Sequence, residues 1–452
     1  MKVDGGLRPD DIIGLLDKKE TTAVKKNRTK SRPSKGVFPS WRSASTTESG
    51  LPQVLLDTRR ALRELVVVNG MKVFAELLEE DRTALCGPRH QPNADRRAFR
   101  HGHDEGSLVF GGRKVRLRKP RVRSVDGEEI ELPTWERMSA EDPLRDRIVE
   151  QTILGVSTRG YERSLEPLPA EVRSHTTKRS SVCRRFVART TAQVQTFLCR
   201  PLGDLDLPVI LIDGTGVGDH VLIVAMGIDT TGHKHILGVA VGTTESEQAI
   251  RSLFRNLIDR GLVVERARLF VIDGGKGLKK AIRITFGDWA LIQRCQVHKL
   301  RNVAEHLPKH RQPWVKAAMR KAWRAGTAAK ARHRLTHLAE QLSAEHPDAA
   351  ASVREGLEET LTLLRLGIGG ALHKTLCSTN PIENLQGAIK RIVRNVKRWR
   401  GGSMALRWCA TALVEAEKRF RRLRGHREMP QLIAALEAVV NKNTLDTQEK
   451  VA

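Results

Sequence analysis

Between residues 208 and 298 the sequence alternates short apolar runs and tight turns in an order that few folds allow. Three runs rich in Val, Ile and Leu come first: PVILIDGTGV, HVLIVAMGIDT and HKHILGVAVGTT. A helical segment, a fourth run (ARLFVIDGG), a second helical segment and a fifth run (ALIQRCQVH) follow. Short apolar runs bounded by turn residues are typical of buried strands. We therefore predict three antiparallel strands followed by helix, strand, helix and strand.

That order is the order of an RNase H-like α/β core with a mixed sheet. From Lys299 to about Leu372 the chain becomes almost wholly helical and rich in alanine, so we expect an all-α insertion that interrupts the core. The segment STNPIENLQGAIKRIVRNVKRWR then predicts one further, basic helix that closes it.

The residues before the core predict a different architecture. Over residues 51–85 the apolar positions recur at helical spacing, and Gly70 is expected to separate two helices. Residues 107–132 change to a period of two, which predicts a small sheet. The basic face of its strand KVRLRKPRVR is either a contact with a DNA backbone or an ordinary solvated edge.

A helix-turn-helix is predicted within the helical residues 144–200. The segment LPAEVRSHTTKRSSVCRRFVARTTAQV indicates a short helix, a turn and a second helix that would enter the major groove of DNA. The second helix is expected to direct Val182, Phe186 and Val187 inward, and a merely solvated basic face is the alternative. Its candidate DNA-binding residues are Lys178, Arg179, Arg184 and Arg185, beside Ser181.

The charge balance indicates what such a protein binds. Lys and Arg number 79 and Asp and Glu 52, which gives a net charge of +27 and an isoelectric point near 10.4. A small soluble domain typically carries a net charge of only about 2–8. A surplus this large favours a polyanionic partner, and nucleic acid is the first candidate.

Other classes of protein are disfavoured. No stretch approaches the roughly 20 apolar residues of a membrane span, and the N-terminus lacks the apolar core of a secretory signal. Six cysteines are scattered without a CxxC pair, which favours reduced thiols over disulfides or a zinc ribbon. Cys86, His90, His101 and His103 fall in a loop-like stretch, and we interpret them as surface residues. We expect a cytoplasmic protein without a membrane partner.

Three carboxylates are candidates for chemistry. Asp213 and Asp273 each end an apolar run, and glycine follows each of them. Burying a carboxylate is costly unless it is paired or binds a metal, although two Asp-Gly turns are the structural alternative. Glu383 lies about one turn into the predicted basic helix, where an acid also suits the helix dipole.

These acids suit phosphodiester cleavage and strand transfer. In such in-line displacements two divalent ions about 4 Å apart activate the attacking oxygen and stabilise the leaving one. Mg²⁺ prefers oxygen ligands and keeps several waters, so three carboxylates suffice. The sequence contains neither a GxSxG nucleophile motif nor a P-loop, and we expect no nucleotide cofactor.

Basic residues accompany the acids. The predicted helix carries no acid between residues 384 and 400, and its Trp399 either stacks on an unpaired base or lies in the core. We interpret Cys295 and His298 as a buried packing pair, because no second ligand pair gives a zinc spacing; a DNA contact from His298 is the alternative. Further candidate DNA-binding residues are Lys299, Arg301, Lys390, Arg391, Arg394, Lys397 and Arg398.

From about residue 101 to residue 425 the sequence resembles the Mutator-type transposases of bacterial insertion sequences. The matching segments are IDGTGVGDHVLIVAMGID, GTTESEQ, LIDRGL, FVIDGGKGLKKAI, QRCQVHKLRNV, STNPIEN and VKRWRGG. The resemblance implies that Asp213, Asp273 and Glu383 are a DDE triad that binds two Mg²⁺ or Mn²⁺ ions. It also implies a structural or substrate-positioning role for the Cys295–His298 motif.

The resemblance further implies the partners. Such a protein binds double-stranded DNA, namely the terminal inverted repeats of its own element and a target, as a homodimer or larger assembly in the bacterial nucleoid. Two rival functions are a hydrolytic nuclease of the same fold, such as a junction resolvase, and a non-catalytic DNA-binding regulator derived from a transposase.

The predicted organisation has seven parts. They are a flexible basic arm (1–50), a helical region (51–105), the small sheet with the helix-turn-helix (106–205), the first part of the core (206–298), the helical insertion (299–375), the second part of the core with the basic helix (376–425) and a tail (426–452).

Overall fold

The computed structural model describes most of the chain after the predicted basic arm. The described residues are 50–91, 98–110, 112–140, 143–166, 168, 172–175, 177–242 and 247–451. They fall into two compact units, one ending at Arg189 and the other beginning at Thr190. No helix in these ranges is long and apolar enough to cross a membrane. The prediction for the arm, residues 1–49, lies outside the described residues.

The first unit combines a long helix with a small antiparallel sheet. Strand β2 lies between β1 and β3, and β4 also pairs with β2. The sheet predicted from the period of two is therefore confirmed. The elements are α1 (Gly50–Cys86), β1 (Ala98–Phe110), β2 (Arg113–Ser124), β3 (Glu129–Ile130), α2 (Pro133–Ala140), α3 (Pro143–Ile153) and β4 (Ser174–His175).

Two predictions for the N-terminal region are wrong. Gly70 does not separate two helices, because α1 continues through it without interruption. The cost of one glycine inside a helix, about 1 kcal/mol, is small beside the packing of Phe74 and Leu78 in the core of this unit. The stretch with His101 and His103 is part of β1 rather than a loop, and Cys86 is buried, whereas His90, His101 and His103 are exposed as predicted.

The predicted helix-turn-helix is only partly present. Its second helix is α4 (Arg179–Leu198). Before α4, however, Ser174 and His175 form a strand, and Leu168 and Val172 are not helical; residues 169–171 lie outside the described residues. The main-chain bond from Arg116 N–H to the Arg173 carbonyl (3.1 Å) shows what competes with a helix here: pairing with β2.

The second unit is built on a five-stranded mixed sheet in the order β7-β6-β5-β8-β9. Strands β5, β6 and β7 are antiparallel neighbours, whereas β5, β8 and β9 are parallel, as the sequence predicted. Alternate residues point to opposite faces, so Val209 and Leu211 pack in one core and Ile210 and Ile212 in the other. The strands are β5 (Val209–Val217), β6 (His220–Ile228), β7 (Lys234–Gly242), β8 (Arg268–Ile272) and β9 (Ala290–Arg294).

Helices cover both faces of this sheet. The first two are α5 (Glu247–Asp259) and α6 (Lys276–Phe286), which share the core of Ile210 and Ile212. A helical stretch follows, as predicted: α7 (Gln296–Glu305), α8 (Gln312–Trp323), α9 (Ala328–Ser343), α10 (Pro347–Arg354), α11 (Thr362–Arg365) and α12 (Gly370–Leu376). Helices α7 to α10 share a core of their own, whereas α11 and α12 pack in the core of Val209 and Leu211. The chain then returns to the sheet in α13 (Asn380–Ile392), α14 (Gly402–Glu417) and α15 (Met429–Val451).

Candidate active site

Asp213 and Asp273 lie at the same edge of the five-stranded sheet. Strands β5 and β8 run parallel, with Ile212 beside Ile272. The residue after each of these isoleucines is an aspartate, so the two aspartates lie at the same level of the sheet. Asp213 is 6% exposed, and Asp273 is half-buried. The strand pairing alone therefore brings together two carboxylates that are 60 residues apart in the sequence (273 − 213).

Main-chain N–H groups hold both aspartates in place. Gly214 N–H donates to Oδ1 of Asp213 (3.0 Å), and Gly275 N–H donates to Oδ1 of Asp273 (2.9 Å). Gly274 has a positive φ of 105°, and a side chain there would collide with the guanidinium of Arg294. Glycine after Asp273 is thus required by both conformation and space.

Glu383 reaches the same region from α13, which packs against β5. The hydroxyl of Thr379 donates to Oε1 of Glu383 (3.2 Å), and Nε2 of His298 lies 3.9 Å from the same oxygen. Pro381, at the start of the helix, suits its first turn. The structure therefore brings the third predicted carboxylate towards the first two.

Gln386 is a member of the site that sequence reasoning missed. Its Nε2 donates to Oδ2 of Asp213 (2.8 Å) and to the carbonyl of Gly214 (3.1 Å). Residues three apart share a face of a helix, so its position after Glu383 was a usable signal. Gln386 links α13, which carries Glu383, to β5, which carries Asp213.

The carboxylates repel one another. Burial, and then the charge of Asp273, raise the pKa of Asp213 to about 7; Glu383 acts in the same direction, whereas His298 and the N–H of Gly214 oppose it. The site therefore concentrates negative charge that a divalent cation would neutralise, and carboxylate oxygens are ligands that Mg²⁺ prefers. The donor set fits a metal, although in the described part of the chain no three His, Cys, Asp or Glu side chains already form a coordination group.

Cys295, His298 and Thr379 form a network behind Glu383. Cys295 is fully buried, and its Sγ accepts bonds from the main-chain N–H groups of His298 (3.5 Å) and Thr379 (3.4 Å) and lies 3.4 Å from the hydroxyl oxygen of Thr379. Burial acts to raise the pKa of the thiol, but the hydrogen bonds from His298 and Thr379 bring it below its ordinary value. The contact with Cys295, followed by the charges of Asp213 and Glu383, raises the pKa of His298.

Lys299 is placed differently from the prediction. The side chain is 1% exposed, and its ammonium donates to the carbonyls of Ser352 and Glu355 at the end of α10. Burial, and then the charge of Arg294, lower the pKa of Lys299 to about 8. This placement is at odds with a DNA contact from Lys299, whereas Arg301 is exposed.

The basic segment after Glu383 is only partly helical. Helix α13 ends at Ile392, and a short 3-10 turn (Val393–Asn395) and an irregular stretch replace the rest of the predicted helix. Trp399 is half-buried against Gly218, at the β5–β6 turn, where a side chain would collide with its indole ring. This contact favours the packing alternative for Trp399. The predicted residues Lys390, Arg391, Arg394, Lys397 and Arg398 are all exposed.

The predicted residues of α4 divide into two groups. Arg184 is exposed, whereas Arg185 is half-buried and donates from Nη1 to the hydroxyl of Ser181 (2.6 Å). Val182 and Phe186 are buried as predicted, but Val187 is 39% exposed, so its inward orientation was wrong. Lys178 and Arg179, at the start of the helix, are exposed.

Comparison with known proteins identifies the family. The family described as "Transposase, Mutator family" matches residues 52–422. The chain belongs to this family. It is similar to the transposase of insertion sequence IS256 in transposon Tn4001 of Staphylococcus aureus, 27% identical over 360 residues, which cover 76% of this chain and 87% of the relative.

Two further relatives of the Mutator-family chain carry similar names. The transposase for ISRM5 of Rhizobium meliloti is 28% identical over 381 residues, 82% of this chain and 92% of the relative. The transposase for IS1081 of Mycobacterium tuberculosis is 27% identical over 334 residues, 70% of this chain and 76% of the relative. The resemblance noted in the sequence is thereby confirmed at the level of the family.

Proposed function

We propose that this Mutator-family transposase mobilises an insertion sequence by cutting and joining DNA at Asp213, Asp273 and Glu383. The observation that carries the proposal is geometric: Asp213 and Asp273 follow neighbouring parallel strands at one edge of the sheet, and Gln386, on the helix of Glu383, bonds Asp213. Burial, and then the charge of Asp273, raise the pKa of Asp213, which is typical of a functional site. The strand order supports an RNase H-like core interrupted by the helical stretch. The relatives, each named as the transposase of an insertion sequence, support the substrate: double-stranded DNA with terminal inverted repeats, and a target.

The three carboxylates would hold two Mg²⁺ or Mn²⁺ ions. When bound, the ions supply activation of the attacking oxygen and stabilisation of the leaving oxygen in each displacement. The protein supplies the positions of the ligands: Gly214 and Gln386 fix the two oxygens of Asp213, and Thr379 bonds an oxygen of Glu383. Ligands held in this way by neighbouring groups lose little conformational entropy when they bind.

Basic residues supply the DNA contacts in this proposal. The exposed cations that follow Glu383 would bind phosphates of the strand that enters the site, and those of α4 would bind the ends of the element. Both ends must be brought together, so we propose a homodimer or larger assembly. The exposed residues concerned are Lys178, Arg179, Arg184, Arg301, Lys390, Arg391, Arg394, Lys397 and Arg398.

Strand transfer tests the proposal. Purified protein is incubated with a labelled duplex that carries the end of its own element, a plasmid target, and Mg²⁺ or Mn²⁺. We expect joined product that depends on the metal and is lost in Asp273→Asn, in Asp213→Asn and in Glu383→Gln, while binding of the labelled duplex is largely retained. Wild-type cleavage by any one of these variants removes that residue from the triad.

The products also separate the two rival functions. Nicking without joining would indicate a hydrolytic nuclease of the same fold. Binding with neither nicking nor joining, in either metal, would indicate a DNA-binding regulator.

A further inference from the structure

The loop that joins α14 to α15 carries an unusual density of positive charge. Residues 418–427 read KRFRRLRGHR, in which six of ten residues are Lys or Arg and none is acidic. We name these residues the arginine loop. Four of its side chains, all exposed, are Arg421, Arg422, Arg424 and Arg427. The candidate active site uses none of them.

The backbone of the arginine loop is fixed by the fold. Leu423 is buried, and its N–H donates to the carbonyl of Gly232 (2.8 Å). The hydroxyl of Thr375 donates to the carbonyl of Arg424 (3.0 Å). Gly425 has a positive φ of 89°, and the backbone of Leu372 leaves no room for a side chain there. The arginines are therefore displayed from a defined position rather than from a free tail.

Glu415 pairs with two of the six cations of the arginine loop, Lys418 (2.8 Å) and Arg419 (3.7 Å), but the neighbouring acids do not neutralise the other four. Glu417 accepts hydrogen bonds from Arg200 (2.9 and 3.1 Å), and Glu428 accepts from the first N–H groups of α12. Of the arginines in this loop, Arg421, Arg424 and Arg427 make no side-chain hydrogen bond or ion pair with the described residues. Exposed cations without a partner contribute little to the stability of the fold.

The arginine loop lies at the end of the sheet away from the carboxylates. It packs on the β6–β7 turn, where Nε of Arg422 donates to Nε2 of His233 (3.0 Å). Ile228, at the end of β6, pairs with Val209, at the start of β5. Asp213 is four residues further along β5, which adds about 13 Å at 3.3 Å per residue. The arginines therefore do not belong to the candidate active site itself.

We propose that the arginine loop is a second surface for double-stranded DNA, separate from the one at the candidate active site. Guanidinium groups bind phosphate oxygens through paired N–H donors, and the spread of arginines along a fixed loop suits successive phosphates of a duplex. The proposal rests on the proposed function for the class of its partner. The arginine loop would bind a segment of DNA other than the segment that is cut at the candidate active site.

Salt-dependent binding tests the surface. Binding of the full-length protein to a labelled duplex of unrelated sequence is followed by fluorescence anisotropy at several salt concentrations. In the triple variant Arg421→Ala, Arg424→Ala, Arg427→Ala we expect the slope of log K against log salt to fall by about 2 to 3, because each lost phosphate contact removes about 0.9. These side chains have no partner in the described fold, so the melting temperature should stay at the wild-type value.

A control variant that loses the same charge elsewhere on the surface distinguishes an effect of the arginine loop from an effect of net charge. Arg320, Lys321 and Arg324 are exposed in and just after α8, and their replacement by Ala removes the same three charges. A wild-type slope in the arginine-loop variant, or an equal fall in both variants, would overturn the second surface while leaving the proposed function intact. If the wild-type protein binds no duplex at any salt concentration, the proposed function fails with it.

Discussion

The amide of Gln386 donates to Oδ2 of Asp213 over 2.8 Å and so connects the two elements on which the candidate triad depends. Gln386 lies one turn after Glu383 on α13, whereas Asp213 lies on β5. The same amide bonds the carbonyl of Gly214, so both of its protons are used within the site. Gln386 therefore fixes the distance and the orientation between a helix carboxylate and a strand carboxylate.

Replacing Gln386 should weaken metal-dependent cleavage without unfolding the protein. Residues that orient metal ligands typically contribute about 10- to 100-fold to metal affinity or activity. We expect Gln386→Ala to need a higher Mg²⁺ concentration for half-maximal cleavage. We also expect its rate of cleavage to be about 10- to 100-fold lower than that of the wild type. Gln341→Ala, at an exposed glutamine of α9, is the control. An unchanged dependence on Mg²⁺ in Gln386→Ala would show that the hydrogen bond has no positioning role.

Lys299 should contribute to stability rather than to DNA affinity. Its removal leaves the carbonyl of Ser352 without this donor, whereas the carbonyl of Glu355 keeps a bond from Arg294 (3.0 Å); an unsatisfied group costs about 1–3 kcal/mol where it is buried. We expect Lys299→Met to lower the melting temperature and to bind duplex DNA with the wild-type salt slope at a temperature where it is folded. Arg301→Ala should instead keep the wild-type melting temperature and reduce the salt slope of binding. Wild-type stability with a reduced salt slope in Lys299→Met would restore the original prediction of a DNA contact.

Two neighbouring arginines of α4 should also differ in role, one contributing to DNA binding and the other to stability. Arg184 is exposed, whereas Arg185 is half-buried and bonds Ser181. We expect Arg184→Ala to weaken binding to the end of the element and to reduce the salt slope by about 1, with little change in stability. Arg185→Ala should lower the melting temperature instead, through the lost bond to Ser181. Equal binding by wild type and Arg184→Ala would place end recognition on another element.

The succession of strands and helices along residues 208–298 was predictable from the sequence because it depends on local patterns. Each strand of the five-stranded sheet is a short apolar run with a turn at its end, and only a few arrangements bury five such runs. The positions of Asp213 and Asp273 follow from the same pattern, since each aspartate directly ends a run. Glu383 was predictable from its place at a helix start and from the resemblance.

Features that depend on distant partners were not predictable. The burial of Lys299 depends on carbonyls 53 and 56 residues away in the sequence, and the bond from Gln386 depends on a strand 173 residues earlier. Helix α13 ends at Ile392 although its pattern continues, and Trp399 beyond it packs against Gly218. In each case the outcome depends on a tertiary contact, whereas the sequence pattern shows only the local preference.

The pKa of Asp213 predicts how stability depends on pH when no metal is bound. Burial and Asp273 raise this pKa to about 7, from an ordinary value of 3.8 that the unfolded chain keeps. The protonated carboxyl is therefore favoured in the folded state, and its contribution is fully present below pH 3.8 and lost as the pH rises through about 7. From this group alone we expect about 2 kcal/mol more stability near pH 5.5 than near pH 8.

Urea unfolding in EDTA, compared between wild type and Asp213→Asn, isolates that contribution because the other titrating groups are shared. The wild-type protein should lose stability relative to the variant as the pH rises from about 5.5 to 8. Mg²⁺ added at the higher pH should then stabilise the wild type and not Asp213→Asn, since a ligand that binds only the folded state raises its stability. Parallel pH profiles for the two proteins would show that burial and Asp273 do not raise the pKa of Asp213 in the folded protein, and this support for a cation at the site would be lost.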